Sequence, residues 1–372
     1  MSNLGFLFGV MNDAACPDVV SINLTPYCNQ HCKYCEIGNG KVEPDKPLLN
    51  LDDLKWIIDQ MAENKIGLIS IGGGEPLTVP WLWDVINYAD IKGIKTEIIT
   101  NGMSVPRLSQ EQLNTLKLTS NVSISIDTIA PETEDYLRGV SGAYWKQMNG
   151  LSLLKTNNIS FTIATVLTKY NYDSISSLVR SMDNKGARFV KFQPLWEGSN
   201  FPEVDGINKS SLIIRQNHIP ELIAELHDIV DYEKDHVVKT NASDLLEWIS
   251  IYLTDHSIPV FKSFVNKYWC HTIHSIITIN YYGDVLPCNY RKTTTNISER
   301  KPLVDLWNEV CSDAWKTFKN GGCFPECCGC TSSIEMGLIC SGIRWPITNY
   351  RILPKVYGMI KSKLRKQQAI HQ

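Results

Sequence analysis

The stretch with the clearest chemical potential is TPYCNQHCKYCEIGNG, residues 25–40. It sets Cys28, Cys32 and Cys35 in a C-x3-C-x2-C pattern directly after an apolar run, VVSINLT, that reads as a buried strand. Structural zinc requires four ligands, and the nearby His31 adjoins a cysteine, so it would have to fold back to reach the same ion. Three closely spaced cysteines suit a 4Fe-4S cluster better, because they hold three irons and leave the fourth open.

Cysteine usage in the rest of the chain also indicates metal or cluster binding. The chain has 372 residues, twelve cysteines and a hydrophobic composition of 43%, so it can bury a large core without disulfide bonds. Eight cysteines lie toward the C-terminus: Cys270, Cys288, Cys311, Cys323, Cys327, Cys328, Cys330 and Cys340. A buried, inert thiol is the alternative, which fits Cys16 and stays open for Cys311.

Composition and charge exclude several classes of function. The first residues carry no positive segment ahead of their apolar run, and no apolar stretch reaches the length that spans a bilayer. We therefore expect a cytoplasmic protein. The formal net charge is −3, and the basic tail, 341–372, carries seven Lys or Arg and no Asp or Glu. A solvated tail helix is favoured over contact with an anionic membrane, and the acidic remainder argues against nucleic-acid binding.

Six short apolar runs alternate with amphipathic segments in the first half of the chain. The predicted strands are 19–25, 66–72, 94–100, 121–127, 159–166 and 188–193. A helix is predicted to begin at the N-cap Asn50. Its apolar stripe consists of Leu51, Leu54, Ile57, Ile58 and Met61. Six βα units in series predict an α/β fold with a parallel sheet curled into a barrel or partial barrel, and ligands at the carboxyl ends of its strands.

The pattern changes after the sixth strand. We predict an irregular connection, two helices, a hairpin and a further helix: 196–218, 219–234, 241–254, 275–288 and 302–320. The predicted domains are a barrel, a helical bridge, a small cysteine-rich domain and a basic tail helix: 15–235, 236–267, 268–342 and 343–372.

The segment CNQHCKYC resembles the C-x3-C-x-φ-C signature of the radical S-adenosylmethionine (radical SAM) superfamily, with Tyr34 as the aromatic φ residue. This resemblance covers residues 15–200 and implies a partial (β/α)6 barrel whose three loop cysteines hold a 4Fe-4S cluster. In that family the open iron binds SAM, and an electron from the cluster cleaves SAM to a 5′-deoxyadenosyl radical that abstracts a substrate hydrogen atom. The barrel positions and shields the radical. The resemblance also implies a flavodoxin- or ferredoxin-type electron donor.

Other positions of that family fall where predicted strands end. The segment GGGEP resembles the family's GGEP element, which binds the SAM ammonium; the alternative is an ordinary βα turn. The resemblance implies cofactor contacts for Gly73, Gly74, Glu75, Pro76, Thr100, Asn101, Ser125, Asp127 and Gln193. It also implies a place near cofactor or substrate for Arg138, for which a surface position is the alternative.

The later cysteines resemble the twitch and SPASM extensions that hold auxiliary 4Fe-4S clusters in part of this superfamily. The resemblance implies one auxiliary cluster on Cys270, Cys288, Cys327 and Cys330, with Cys328 as the alternative to its neighbour. Full ligation leaves no iron open to substrate, so such a cluster conducts electrons. A second auxiliary cluster is a further alternative, although the usual C-x5-C-x3-C run is missing. A zinc ribbon is the alternative to any cluster in this region.

The reaction depends on the auxiliary cluster and on the spare thiols. The leading hypothesis is oxidation (dehydrogenation) of a small molecule, such as a sugar or aminocyclitol alcohol, in natural-product biosynthesis. A thiol beside the radical could instead return a hydrogen atom, as in radical epimerases; Cys311, Cys323 and Cys340 are the candidates. Peptide maturation that forms a thioether or carbon-carbon cross-link is a further alternative, disfavoured because little sequence precedes the loop for a leader-binding domain. A zinc-binding scaffold is the non-enzymatic alternative.

Overall fold

One sheet of nine strands organises the described part of the chain. The computed structural model describes residues 17–35, 37, 42–43, 45–195, 211–252, 276–288 and 293–319. The strands are β1 (Val19–Asn23), β2 (Leu68–Gly72), β3 (Lys95–Thr100), β4 (Asn121–Ser125), β5 (Phe161–Leu167), β6 (Phe189–Pro194), β7 (Lys239–Thr240), β8 (Ile276–Ile279) and β9 (Val285–Leu286). Their order is β7-β6-β5-β4-β3-β2-β1-β8-β9, and all neighbours are parallel except β8 and β9.

Helices follow the strands and cover one face of the sheet. They are α1 (Leu51–Glu63), α2 (Leu82–Ile91), α3 (Gln110–Leu116), α4 (Pro131–Arg138), α5 (Ala143–Thr156), α6 (Ile175–Lys185), α7 (Ile219–Asp235), α8 (Ala242–Tyr252) and α9 (Leu303–Lys319). The sequence sets α1 clearly, because Asn50 and Asp53 form a capping box at its start. Four of its five predicted stripe residues are fully buried, namely Leu54, Ile57, Ile58 and Met61. No described helix has the length and apolar composition that a membrane span requires.

The two faces of the sheet differ in polarity. Burial alternates residue by residue along β1, β4 and β5. The buried positions, such as Ile22, Ile124 and Ile163, join the buried stripes of the helices in one apolar core. The other face is partly open and carries polar side chains, among them Ser21, Glu97, Asn121, Thr162 and Gln193. The sheet therefore has a packed outer side and a polar inner side, as a partial barrel requires.

The predicted (β/α)6 partial barrel is confirmed, since β1 to β6 match the six predicted strands to within two residues at each end. The sequence did not indicate that β7 extends the sheet beyond β6. It also did not indicate that β8 pairs in parallel with β1, so that the predicted hairpin continues the barrel sheet. The helix α9 shares the same core through Leu306 and Trp307.

Several predictions fall outside the described residues. They concern Cys16, Cys270, Cys323, Cys327, Cys328, Cys330, Cys340, most of the connection 196–218 and the tail helix 343–372. The division into four domains stays a prediction.

Two glycines in the turn after β2, Gly73 and Gly74, let the backbone that follows β1 pack closely against this turn. Gly74 N–H donates to Thr25 O at 2.7 Å, and the next residue's N–H donates to Tyr27 O at 2.8 Å. A Cβ at Gly74 would lie 2.0 Å from the Tyr27 oxygen, and Gly73 has a φ of +113°. Since Tyr27 immediately precedes the first loop cysteine, this contact fixes the start of the cysteine loop.

We expect Gly74→Ala to destabilise the fold by about 3 kcal/mol, because the added methyl group meets rigid backbone rather than a flexible side chain. Gly93→Ala is the matched control: its φ is +71°, but nothing lies within 4 Å of the added Cβ. It should cost only about 1 kcal/mol of backbone strain. Urea unfolding followed by circular dichroism measures both, and equal losses would contradict the close approach.

Candidate active site

The three predicted cluster ligands lie on the loop that connects β1 to α1. Cys32 is buried, whereas Cys28 and Cys35 are half-buried. Burial raises the pKa of the Cys28 thiol and raises that of Cys32 to about 12. A charge on Cys35 would raise both further, so the sulfurs lie within electrostatic reach of one another. Within the described ranges, no three His, Cys, Asp or Glu side chains are close enough to hold a single metal ion.

The loop's chemistry fits an iron-sulfur cluster. Thiols whose charged form is disfavoured by burial lose their protons when they coordinate iron, because the metal supplies the compensating positive charge. The buried amide nitrogen of Gln30, within the same loop, has no hydrogen-bond partner, so a polar atom there still lacks an acceptor. Cys28, Cys32 and Cys35 are the residues that would hold the cluster.

The C-terminal end of α4 clamps the cysteine loop through backbone contacts. His31 N–H donates to Arg138 O at 3.0 Å, and Lys33 N–H donates to Leu137 O at 2.9 Å. Gly139 ends the helix in the left-handed conformation, and a Cβ there would lie 2.2 Å from His31 O. These contacts lie on either side of Cys32, so α4 sets the direction of the buried cysteine.

A buried ion network ties α4 to the end of β4. Arg138 Nε donates to Glu134 Oε1 at 2.8 Å, and Arg138 Nη2 lies 3.0 Å from Asp127 Oδ1. The Tyr34 hydroxyl donates to the same aspartate. Burial raises the pKa of Asp127 to about 6, although the adjacent guanidinium opposes the shift. Arg138 is only 3% exposed and is therefore not a surface arginine.

Glu134 and Asp127 also cap backbone groups at the strand ends. Glu134 Oε2 accepts from the N–H groups of Asp127 and Thr128, at 2.9 and 3.0 Å. Asp127 Oδ1 accepts from Val166 N–H at 2.8 Å, which connects the end of β4 to β5. The network thus joins the cysteine loop, α4 and two strand ends into one rigid unit.

Glu75 lies in the turn after β2 and accepts hydrogen bonds from residues at the end of β3. Its carboxylate is fully buried and accepts from the Thr100 hydroxyl at 2.6 Å and from the N–H groups of Asn101 and Leu77 at 2.8 and 3.0 Å. Burial raises the pKa of Glu75 to about 7 despite these donors. In this structure its side chain therefore supports neighbouring residues, and its contact with the SAM ammonium stays a prediction.

Asn101 connects the strand ends directly to the cysteine loop. Its Nδ2 donates to Asn29 Oδ1 at 2.7 Å and lies 3.7 Å from Cys28 Sγ. Its backbone oxygen accepts from Gln147 Nε2 at 3.1 Å, and the same amide donates to Ser125 O at 2.9 Å. Gln147 therefore holds the ends of β3 and β4 together.

Gln193, Cys288 and Cys311 lie at three separate places. Gln193 is exposed on the inner face of β6, on the same side as the polar residues of the other strands. Cys288 is half-buried and lies two residues after the end of β9. Cys311 is fully buried on α9 among core residues, a placement that favours the packing role over hydrogen-atom donation, since a donor must reach the substrate.

Sequence reasoning missed four residues that organise this site: Gln30, Glu134, Gln147 and Asn171. Asn171 donates to Asp127 O at 2.9 Å and to Val166 O at 2.8 Å. A signal was present for Glu134, which precedes Arg138 by one helical turn. For Gln147 the signal was a polar residue on the inward side of α5. Nothing in the spacing marked Gln30.

Removing the guanidinium should destabilise the fold severely. We expect Arg138→Met to cost about 3–5 kcal/mol, because Asp127 and Glu134 would stay buried without a counter-charge. Arg180→Met breaks an ion pair with Asp228 at 2.7 Å whose partners are about half exposed, and it should cost less than about 1 kcal/mol. Denaturant unfolding compares the two, and similar losses would contradict the network's structural role.

The buried Glu75 should give the metal-free protein a specific pH dependence. The folded state raises its pKa from the ordinary 4.5 to about 7, so it favours the neutral acid. The stability that this group contributes is fully present below about pH 4.5 and is lost as the pH rises through 7. Relative to Glu75→Gln, the wild type should lose up to about 3 kcal/mol of unfolding free energy over that range. Parallel stability profiles of the two proteins would contradict the shift.

Comparisons with known proteins agree with this geometry. Residues 22–182 match the family model of the Radical SAM superfamily. The chain is 29% identical to an AdoMet-dependent heme synthase of Methanosarcina barkeri over 304 residues, 79% of this chain and 83% of the relative. It is 28% identical to the mycofactocin maturase MftC of Mycobacterium tuberculosis over 189 residues, 50% of this chain and 47% of the relative.

A solved structure gives the same architecture. SuiB of Streptococcus suis, bound to S-adenosylmethionine, superposes with a TM-score of 0.62 at 19% identity, covering 86% of this chain and 74% of that chain. At this identity the likeness shows the fold alone. The family match, the parallel sheet and the cysteine loop at its strand ends together show that residues 22–182 form a radical SAM domain, and members of the radical SAM superfamily use a 4Fe-4S cluster and SAM.

Proposed function

We propose that this protein is an enzyme that reductively cleaves SAM and abstracts a hydrogen atom from an organic substrate. The observation that carries the proposal is the cysteine loop, which α4 and the buried ion network fix at the carboxyl ends of the strands. Ligands of parallel sheets bind at that edge. A loop with no chemical role would not need such extensive buried bracing.

The chain's own residues would bind and orient the cofactors. Cys28, Cys32 and Cys35 would hold the cluster, which supplies the electron that breaks the SAM carbon-sulfur bond. The turn at Gly73 and the end of β3 at Asn101 offer close-packed backbone beside the loop, to which the SAM amino and carboxylate groups could bind. These roles rest on the family resemblance.

An apolar shelf flanks the cysteine loop on the side of β6. Tyr34 and Val166 pack against Leu195, Leu212 and Ile213. The Tyr34 hydroxyl is engaged by Asp127, so its ring is held in one orientation against these side chains. Such a shelf would accept the flat adenine of SAM and exclude water from the reacting centre.

The inner face of the sheet is the proposed substrate side. A row of hydrogen-bonded side chains crosses it: the Ser70 hydroxyl donates to Glu97 at 3.2 Å, and Asn121 donates to Glu97 at 2.8 Å and to Thr162 at 2.9 Å. Glu97 lies three residues before the end of β3, which is about 10 Å along the strand. This floor would orient a substrate that carries hydrogen-bonding groups.

A small organic molecule is the proposed substrate class. The heme synthases align with most of this chain and most of their own length, whereas the mycofactocin maturase aligns with half of each. We therefore favour oxidation of a small molecule, with tetrapyrroles as the first class to assay. The similarity to the heme synthases and to the maturase gives no support to a sugar or an aminocyclitol as the substrate.

Peptide maturation is the second candidate. The sequence similarity to the mycofactocin maturase and to the sporulation killing factor maturation protein SkfB of Bacillus subtilis favours it. Either reaction would draw electrons from a flavodoxin- or ferredoxin-type donor.

The C-terminal cysteines are proposed to hold one auxiliary 4Fe-4S cluster. Cys288 is a half-buried candidate ligand after the β8–β9 hairpin, which joins the sheet at β1. Because β9 is antiparallel to β8, the chain at Cys288 runs back toward the start of β1, away from the cysteine loop. Lys46 pairs with Asp284 at 2.9 Å, and Glu43 N–H donates to the Tyr282 hydroxyl at 2.6 Å. The segment that follows the loop is thereby fixed to the hairpin that carries this ligand.

Anaerobic reconstitution with iron and sulfide, followed by SAM and dithionite, tests the proposal. The wild type should bind a 4Fe-4S cluster and release 5′-deoxyadenosine, whereas Cys32→Ala should lose both. Cys311→Ala is the control, because that thiol is enclosed in the core. Absence of 5′-deoxyadenosine from a wild type that holds its cluster would overturn the proposal. Deuterium transfer from labelled tetrapyrroles, peptides and sugars into 5′-deoxyadenosine, read by mass spectrometry, would then separate the substrate classes.

A further inference from the structure

The spacer between the first two loop cysteines contains a buried amide with one unused donor. Gln30 is 1% exposed. Its Oε1 accepts a hydrogen bond from the Cys32 thiol, with sulfur and oxygen 3.4 Å apart, and its Nε2 has no partner. Buried N–H groups without an acceptor are rare in folded proteins, because the lost hydration is not replaced. The observed arrangement therefore satisfies the thiol and leaves the amide incompletely bonded.

Coordination of iron by Cys32 would change which atom of the Gln30 amide can interact favourably with the sulfur. A cysteine that binds iron has no proton to donate. The carbonyl oxygen of Gln30 would then face an electron-rich sulfur, and the two would repel each other. A half-turn about the terminal bond exchanges Oε1 and Nε2 without changing the volume of the side chain.

After that half-turn, the unused donor gains an acceptor. Nε2 donates to the Cys32 sulfur, and Oε1 takes the unpartnered position. An unpartnered carbonyl is tolerated better than an unpartnered N–H, and a hydrogen bond to a charged acceptor is stronger than one between neutral groups.

The same loop already contains one amide-to-sulfur contact. Asn101 Nδ2 donates to Cys28 Sγ at 3.7 Å. Two of the three cysteine sulfurs would then each accept a side-chain amide hydrogen bond. One of these donors comes from the loop itself, and the other comes from the end of β3.

We infer that the Gln30 side-chain amide donates a hydrogen bond to the Cys32 sulfur in the cluster-bound protein and thereby raises the reduction potential of that cluster. The inference rests on the proposed function, because it needs the cluster on this loop. An N–H directed at a ligand sulfur stabilises the additional negative charge of the reduced cluster more than it stabilises the oxidised form. Gln30 acts through the ligand, so it is a positioning and tuning residue.

Redox titration of the reconstituted protein, followed by electron paramagnetic resonance, tests this. The signal that changes when SAM is added identifies the loop cluster. Gln30→Met keeps the length of the side chain but removes the donor, so its potential should be more negative than that of the wild type. Gln60→Met is the matched control. Gln60 lies on α1, where its side chain donates a hydrogen bond to Glu63 and accepts one from Leu303 N–H. The loop cluster of this variant should have the same reduction potential as that of the wild type.

A second readout does not depend on a variant. Wild-type protein carrying ¹⁵N only in glutamine side-chain amides should show a ¹⁵N coupling to the reduced loop cluster by pulsed electron paramagnetic resonance. Absence of that coupling, or an unchanged potential in Gln30→Met, overturns the inference while the proposed function stands. Failure of the wild type to assemble any cluster on the loop overturns both.

Discussion

The buried ion pair between Arg138 and Asp127 is the interaction on which the site depends. Arg138 belongs to α4, whose last turn accepts two backbone N–H groups of the cysteine loop and places the Tyr136 ring 5.8 Å from Lys33 Nζ. Asp127 lies at the end of β4 and accepts a hydrogen bond from the hydroxyl of Tyr34, a residue of the loop. The pair therefore links the helix that contacts the loop to the strand end that binds Tyr34. A buried charge pair is costly unless its charges are compensated, and here Glu134 also pairs with Arg138 while Val166 N–H donates to Asp127. Arg138 Nη2 itself makes the ion pair with Asp127 without forming a hydrogen bond.

A second set of contacts fixes the loop from the opposite side. The turn after β2 approaches the Tyr27 carbonyl more closely than any side chain would allow, and Glu75 from the same turn holds the end of β3. Asn101 then connects that strand end to Cys28. The cysteine loop is thus held between β3 on one side and α4 on the other. Contacts on two sides suit a cofactor-binding loop whose geometry must stay the same in the resting and reacting states.

The sequence predicted much of this arrangement because local patterns determine it. Alternating apolar runs gave β1 to β6, the capping residues around Asn50 gave α1, and three cysteines after a strand gave the loop. Partners that depend on three-dimensional contact could not be predicted. Nothing local links β8 to β1, which are more than 250 residues apart in the chain, and the two-residue strand β7 carries no periodicity. The roles of Gln30 and Gln147 are equally invisible in sequence, because a buried amide is recognised only by what it meets.

The account depends on a 4Fe-4S cluster on the loop with one iron open to SAM. Mössbauer spectroscopy of protein reconstituted with ⁵⁷Fe, recorded before and after SAM is added, tests this most directly. We expect SAM to shift one iron site of the loop cluster toward the parameters of an iron with nitrogen and oxygen ligands, while the thiolate-bound sites stay unchanged. A spectrum that SAM leaves unaltered at every iron site would contradict the account.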